Sequence, residues 1–226
     1  MVSSSERMVS RPESLVSFAR EQIETLIISG ALGGGQKLNE HALATRLNVS
    51  RGPIREAIRL LEKDNLVTSV QNYGVYVRTL DLDEATELYA FRGVVFGYIC
   101  GDVAEKQPSK LIRSLSSLVE KMDEAIEKAA PEKYFELNLK FHTLIVEAST
   151  VESAKRVYRS LAKQSSLFRR RSLSDVAEMR ASNDEHRMIL EAIGSADRAA
   201  AREAAELHHT NGKIRLLKVS KEQANT

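Results

Sequence analysis

The 226-residue chain has few residues that interrupt helices, with 11 glycines and 4 prolines, and it has no tryptophan. The good helix formers Ala, Leu, Glu, Arg and Lys are abundant instead, so we expect a mainly α protein. Cys100 is the single cysteine, which excludes an internal disulfide. Its apolar surroundings, VVFGYICGDVA, predict a buried, unreactive thiol rather than a nucleophile.

The sequence also lacks a long apolar segment. No run approaches the roughly 18 residues of a membrane span, and the opening MVSSSERMVSRPES has no apolar core of a secretory signal. We therefore expect a cytoplasmic protein without a membrane partner. Residues 1–13 are polar and rich in serine, which predicts a flexible tail.

A net charge of only +2 gives weak support for nucleic-acid binding, so any such function depends on where the charges lie. In NVSRGPIREAIRLLEKDNLV, Arg51, Arg55 and Arg59 recur every fourth residue and share one face of a predicted helix. The inner face of that helix has the apolar spacing i, i+3, i+4, i+7. It consists of Ile54, Ala57, Ile58 and Leu61.

The residues before and after the arginine helix predict a helix-turn-helix with a wing. Asn39 is suited to cap a short helix, Asn48 to end it, and Ser50 to cap the next one. Two short helices joined by a turn of this length form a helix-turn-helix. The following LVTSVQNYGVYVRTL alternates apolar and polar residues around Gly74, which predicts a two-stranded hairpin.

Two interpretations of the arginine row are open from the residues alone. It is either a solvated basic face paired with Glu56 and Glu62, or a helix that presents its N-terminal end to DNA. An α-helix fits the major groove, its first residues reach base edges, and its free N–H groups suit phosphate. The preceding short helix, the turn and the hairpin favour DNA.

The segment LATRLNVSRGPIREAIRLLEKDNLV…YGVYV resembles the winged helix-turn-helix of GntR-type bacterial transcription regulators, over about residues 12–80. The resemblance implies a homodimer that binds a near-palindromic operator in double-stranded DNA. The sequence has Gly52 where threonine is usual, and Asn65 where glycine is frequent. The resemblance and the arginine row together predict these DNA-binding residues: His41, Ser50, Arg51, Gly52, Arg55, Arg59, and the wing residues Asn72, Tyr73 and Gly74.

After residue 80 the sequence contains no convincing strand, and six helical segments follow one another. Gly93, Gly97 and Gly101 recur every fourth residue, which predicts close packing by another helix. We therefore expect a winged helix-turn-helix DNA-binding domain at residues 14–79, and an all-α helical-bundle domain for ligand and metal at residues 80–220.

Histidines on three of these helices suggest a metal site. Asn138 precedes His142 by one i, i+4 step, and His186 and His208 lie on two later helices. A helical bundle can point such side chains into one interior and hold a metal there. From spacing alone, three unrelated histidines, each satisfied by a hydrogen bond, are the better explanation, because ligands on separate helices leave no local signature.

Residues 81–218 resemble the FCD ligand-binding domain of the FadR subgroup, through LNLKFHTLIVEAS and SNDEHRMILEAIGSADRAAAREAAELHH. The resemblance implies a divalent metal, zinc or nickel, on Asn138, His142, His186 and His208, and a small carboxylate effector beside it. Because a neutral amide is a poorer donor than a carboxylate, Asn138 predicts weaker metal binding.

Arg92 places a charge within the apolar helix segment LYAFRGVVF. It either packs its stem on the core or, as its place in the family pattern implies, binds the effector carboxylate. Guanidinium–carboxylate pairs suit such sites.

These expectations combine into a DNA-binding transcriptional regulator, a repressor by resemblance, whose operator affinity is controlled by the effector. The alternative is a metal-dependent hydrolase fused to a DNA-binding domain. It would need a general base, and Glu147 and Glu185 are both predicted to point away from the histidines, so we expect no enzyme.

Overall fold

The computed structural model describes residues 14–106, 109–169 and 175–224. The predicted tail at residues 1–13 lies outside the described residues. The chain divides between Thr79 and Leu80 into two compact units. No described helix combines the length and the apolar composition needed to cross a bilayer.

The N-terminal unit contains three helices: α1 Leu15–Ile28, α2 Glu40–Leu47 and α3 Arg51–Lys63. Helices α1 and α3 pack against each other. The predicted inner face of α3 is correct, since all four of its apolar residues are buried. They face the buried stripe Ala19, Ile23 and Ile27 of α1, so the core of this unit holds α3 by its apolar side and leaves the arginine side outward.

A two-stranded wing follows α3, as the sequence predicts. Strands β1 Val67–Val70 and β2 Gly74–Val77 pair antiparallel, with Val67 opposite Val77 and Val70 opposite Gly74. The turn uses left-handed backbone at Asn72, with φ 64°, and a positive φ of 109° at Gly74. The segment between α1 and α2 also contacts the wing, because Leu38 donates its N–H to Val75 O of β2 at 2.8 Å.

The C-terminal unit is formed by helices in the described residues. They are α4 Leu82–Lys106, α5 Ser109–Glu127, α6 Pro131–Ala148, α7 Glu152–Arg169, α8 Val176–Gly194 and α9 Arg198–Ala224. Helix α9 continues beyond residue 220, where we placed the end of the domain. This helical unit, preceded by a winged helix-turn-helix, confirms the predicted fold class.

Close packing of α4 on α9 fixes the interior of the C-terminal unit. A Cβ at Gly97 would lie 3.0 Å from Arg202 O, and one at Gly93 would lie 2.9 Å from His209 Cβ. The predicted role of these glycines is therefore correct: only their missing side chains allow the helices to approach this closely. The approach brings the histidine-bearing stretch of α9 against the core around Phe96, Phe141 and Ile189.

Candidate DNA-binding face and candidate metal centre

The turn between α2 and α3 is built by local capping. Asn39 Oδ1 accepts the N–H groups of His41 and Ala42, both at 3.0 Å, and starts α2. Asn48 ends α2 in the left-handed conformation, with φ 53°. The chain then needs only Val49 and Ser50 before α3 begins at Arg51. The first turns of the two helices are thereby held close to each other.

Ser50 occupies the N-cap position of α3 with extended backbone, but its side chain makes no capping hydrogen bond. The position was predicted correctly and the hydrogen bond was not. Ser50 and Gly52 are both exposed, and a Cβ at Gly52 would meet nothing within 4 Å. The start of α3 is therefore open, and its first N–H groups are not occupied by the serine hydroxyl.

Two of the predicted arginines share one carboxylate. Arg55 Nε donates to Glu40 Oε2 at 2.7 Å, and Arg51 Nη2 donates to the same oxygen at 3.2 Å. The hydrogen bond from Arg55 lowers the pKa of the Glu40 carboxyl. Arg59 instead pairs with Glu56 at 2.7 Å, one turn earlier on α3. The arginine row thus has two parts, one crossing to α2 and one confined to α3.

Several predicted DNA-binding residues line one concave surface of the N-terminal unit. This surface includes His41, Arg51, Arg55 and Gly74, together with Lys37 and Glu40. Ser50 lines an adjoining hollow that shares His41 and Arg51. Gly52, Arg59, Asn72 and Tyr73 line neither surface, although Tyr73 is 68% exposed at the tip of the wing.

Inside the C-terminal unit, three predicted histidines converge. His142, His186 and His208 each offer one ring nitrogen within 4.8 Å of the others, and all three residues are buried. The Nε2 atoms of His142 and His208 are 3.2 Å apart. On the opposite side of the His142 ring, Nδ1 lies 3.1 Å from the hydroxyl oxygen of Tyr158. Three imidazole nitrogens this close together form a group that could hold one divalent metal ion.

Two of the predicted metal ligands carry unpaired polar atoms. Among the described residues, neither ring nitrogen of His186 has a hydrogen-bond partner, and Asn138 Oδ1 has none either. Both residues are buried, and buried polar groups are normally hydrogen-bonded. Imidazole nitrogens and an amide oxygen are metal donors, so the donor set present here fits a divalent cation.

Glu185 is a residue that the sequence interpretation placed wrongly. It was expected to point away from the histidines, yet its carboxylate accepts from His208 Nδ1 at 2.7 Å. Arg215 donates to both carboxylate oxygens at 2.8 Å, and Asn211 Nδ2 donates at 2.9 Å. A carboxylate on the far nitrogen of a metal-binding histidine fixes its tautomer and orientation. It holds His208 Nε2 toward His142.

Burial sets the protonation of these groups. Burial would raise the pKa of the Glu185 carboxyl, but hydrogen bonds from Arg215 and His208 outweigh it and hold the pKa at about 2. Burial lowers the pKa of His208, although Glu185 opposes the change. Burial, with smaller repulsion from His208 and Arg215, takes the pKa of His186 well below its usual range. Neutral imidazoles, the form that binds metal, are favoured.

Arg92 is buried, with 2% exposure. The pKa of His208 is lowered mainly by burial, and the positive charge of Arg92 lowers it further. Its guanidinium carbon lies 4.9 Å from the centre of the Tyr89 ring. Nε and Nη1 have no hydrogen-bond partner in the part of the chain that the structure describes. Buried charges are normally paired, so these donors suit an anion that enters the interior.

Neither carboxylate considered for a hydrolase is free to act as a base. Glu147 is half exposed and pairs with Arg159 at 2.6 Å. Glu185 reaches His208 but is fully engaged by Arg215 and held ionised at a pKa of about 2. A general base at neutral pH needs a much higher pKa.

Comparison with protein families divides the chain in the same way. Residues 15–77 match the family described as bacterial regulatory proteins, gntR family, and residues 87–211 match the FCD domain.

Individual relatives extend over most of the chain. An uncharacterized HTH-type transcriptional regulator, YdhC of Bacillus subtilis, is 28% identical over 83% of this chain and 84% of that protein. The gluconate operon transcriptional repressor of Bacillus licheniformis is 26% identical over 85% of this chain and 81% of that protein. The solved structure of E. coli McbR/YncC shares the fold, with a TM-score of 0.79 at 20% identity, over 91% of this chain and 98% of that chain.

Proposed function

Because the chain belongs to the GntR family of bacterial regulatory proteins and carries an FCD domain, we propose that residues 14–79 bind operator DNA and residues 80–220 bind the effector. Members of the family are DNA-binding transcriptional regulators and not enzymes, which removes the hydrolase alternative. They bind operator DNA and dimerise, so the functional form we propose is a homodimer on a two-fold operator in the cytoplasm.

The observation that carries the DNA function is the open start of α3. Arg51 and Arg55 are exposed in its first two turns, and the N-cap residue Ser50 makes no capping hydrogen bond with its side chain. Arginine recognises guanine in the major groove through two N–H groups, and free N–H groups at a helix start suit phosphate. Gly52 and His41 would approach the same duplex, with Arg59 on the backbone.

For the wing, we propose contacts from Asn72, Tyr73 and Gly74 to the minor groove. The positive φ angles at Asn72 and Gly74 make a tight tip, and the exposed Tyr73 stands at its end. Such a tip could enter the minor groove beside the recognition helix, as appended arms do in other DNA-binding domains.

The C-terminal unit would hold a divalent metal, zinc or nickel, on Asn138, His142, His186 and His208. The unpaired nitrogens of His186 and the unpaired Asn138 oxygen support this assignment. Once bound, the metal supplies positive charge and open positions for oxygen ligands. Glu185 would keep His208 oriented, and Tyr158 would do the same for His142.

The effector we propose is a small organic carboxylate. Three neutral imidazoles and an amide leave the metal's charge uncompensated, and Arg92 adds buried donors without a partner in the described chain. An anion would compensate the charge of the metal and accept hydrogen bonds from Arg92. The similarity to a gluconate operon transcriptional repressor supports repression that is released when the carboxylate binds, through a change in operator affinity.

Operator binding is tested with a duplex that the wild-type protein selects from a random library. Replacing Arg55 with Ala should weaken binding by about 1–3 kcal/mol, measured by fluorescence anisotropy at fixed salt. Arg46→Ala is the matched control, because Arg46 is exposed on α2 and lines neither hollow. Equal affinities of the wild type and Arg55→Ala would contradict the recognition role.

The metal is tested by elemental analysis of protein purified without a nickel column. We expect close to one divalent ion per chain, lost on removal of His142 and His186 together. A thermal-shift screen of organic acids, run with and without chelator, would then identify the effector. Absence of metal, together with chelator-independent binding of the acid, would count against the proposed centre.

A further inference from the structure

We propose that Glu40 is a positioning residue for base recognition: it holds the Arg55 guanidinium by Nε, so that the Nη1 and Nη2 edge remains for a guanine. The inference rests on the proposed DNA function and adds a carboxylate that none of the predicted contacts included. It identifies the residue through which α2 would control what α3 reads.

The geometry fixes the carboxylate before DNA arrives. Glu40 is the first residue of α2, directly after the cap at Asn39, and a negative charge at this end of a helix is favourable. Its side chain is 29% exposed, against 55% for Arg51 and for Arg55. The less exposed carboxylate therefore contacts both of the more exposed guanidinium groups.

The choice of donor atom matters for recognition. Arg55 uses Nε toward Glu40 at 2.7 Å, and this is the one hydrogen bond of its side chain within the described residues. A guanidinium has five N–H groups arranged as a fork. With Nε held, the two terminal nitrogens are still available for the O6 and N7 atoms of guanine.

A competing role for the same carboxylate makes a different prediction. If Glu40 only neutralised the arginines and had to be displaced by phosphate, its removal would strengthen binding to all duplexes by the same factor. If it positions Arg55, its removal strengthens non-specific binding and weakens discrimination between bases. The ratio of two affinities separates these roles, and a general loss of folding would not change that ratio selectively.

The experiment compares wild type, Glu40→Gln and Glu56→Gln on three duplexes. The first is selected by the wild-type protein from a random library, the second has its selected G·C pairs replaced by A·T, and the third is scrambled. Glu56 is the matched control because it pairs with Arg59 on α3 alone. All variants are first compared by thermal unfolding.

We expect Glu40→Gln to lower the affinity ratio of the first duplex to the second by about tenfold, within the range that one bidentate pair supplies. Glu56→Gln should stay within about twofold of the wild type, as expected for a phosphate-facing pair. In an Arg55→Ala background, Glu40→Gln should lower the ratio no further, because the group that it positions is gone.

An unchanged ratio in Glu40→Gln, or equally tighter binding to all three duplexes, would overturn the positioning role and leave the DNA function standing. A wild-type protein that selects no duplex at all would overturn both.

Discussion

The same pair of residue types, arginine and glutamate, is used at two places in this molecule with opposite physical settings. At the start of α3, Glu40 meets Arg51 and Arg55 in side chains that are 29% and 55% exposed. In the C-terminal unit, Glu185 meets Arg215 in side chains that are 10% and 8% exposed. One pair faces solvent, and the other lies beside the buried histidines.

Exposure to solvent determines what each pair can do. Water and salt weaken an exposed ion pair, so it contributes little to folding and can exchange partners with DNA. A buried pair has already lost its hydration, so removing one partner leaves an uncompensated charge and is costly. The first arrangement suits recognition and the second suits holding a ligand shell in place.

The largest effect is expected from breaking the buried pair. Glu185→Gln leaves Arg215 charged and without a carboxylate, which should lower the free energy of unfolding by about 3–5 kcal/mol. Urea unfolding at pH 7 measures the loss. Loss of less than 1 kcal/mol would mean that the two buried side chains behave as the exposed ones do.

The same variant should reveal the pH range in which Glu185 acts. The pKa of its carboxyl is lowered from 4.5 to about 2 in the folded chain. A lowered folded-state pKa stabilises the protein above the unfolded-state pKa, and this stability is lost as the pH falls. The difference between the wild type and Glu185→Gln should therefore shrink between pH 4.5 and pH 2, as urea unfolding at each pH can show.

A somewhat smaller effect is expected from the metal itself. A ligand present at one hundred times its dissociation constant stabilises the folded state by about 2.7 kcal/mol. Zinc should therefore raise the melting temperature of the wild type. His186→Ala should abolish the rise, whereas His209→Ala should retain it, because His209 lies outside the three-histidine group. A rise that survives in His186→Ala would place the metal elsewhere.

Asn138 allows the metal centre to be strengthened rather than broken. Asn138→Asp replaces a neutral amide oxygen by a charged one, which binds divalent cations better. We expect metal affinity to rise by about tenfold, equivalent to about 1.4 kcal/mol, in competition with a fluorescent chelator. Unchanged affinity would show that residue 138 does not contact the metal.

Features of the fold that depend on neighbouring residues were predictable from the sequence. The cap at Asn39, the left-handed Asn48, the inner face of α3 and the hairpin around Gly74 all follow from neighbours a few residues apart. Local spacing determines these features, so one sequence is enough to predict them. The close packing at the α4 glycines was predictable for the same reason.

Contacts across long stretches of chain were not predictable in this way. Glu40 and Arg55 are 15 residues apart, and Glu185 and Arg215 are 30 apart. The position of Glu185 on α8, taken by itself, predicts a side chain that points away from the histidines. The carboxylate reaches a ring on α9, and only the packing of α8 against α9 brings the two together. The sequence did contain a signal for a buried carboxylate here, because Asn211 and Arg215 follow His208 by one and two turns and offer hydrogen-bond donors on the same face of α9.

The smallest effect on stability is expected from the exposed pairs. Glu40→Gln and Glu56→Gln should each change the free energy of unfolding by only about 0.2–1 kcal/mol, because both carboxylates remain accessible to water. Thermal unfolding at low and high salt would measure this, and the small difference should fall further in high salt. A salt-independent loss of several kcal/mol in Glu40→Gln would mean that Glu40 is part of the structural core. A small change in the free energy of unfolding, combined with a loss of base discrimination, is the result expected if Glu40 acts through Arg55. The effect of Glu40 would then be measurable only when DNA is bound.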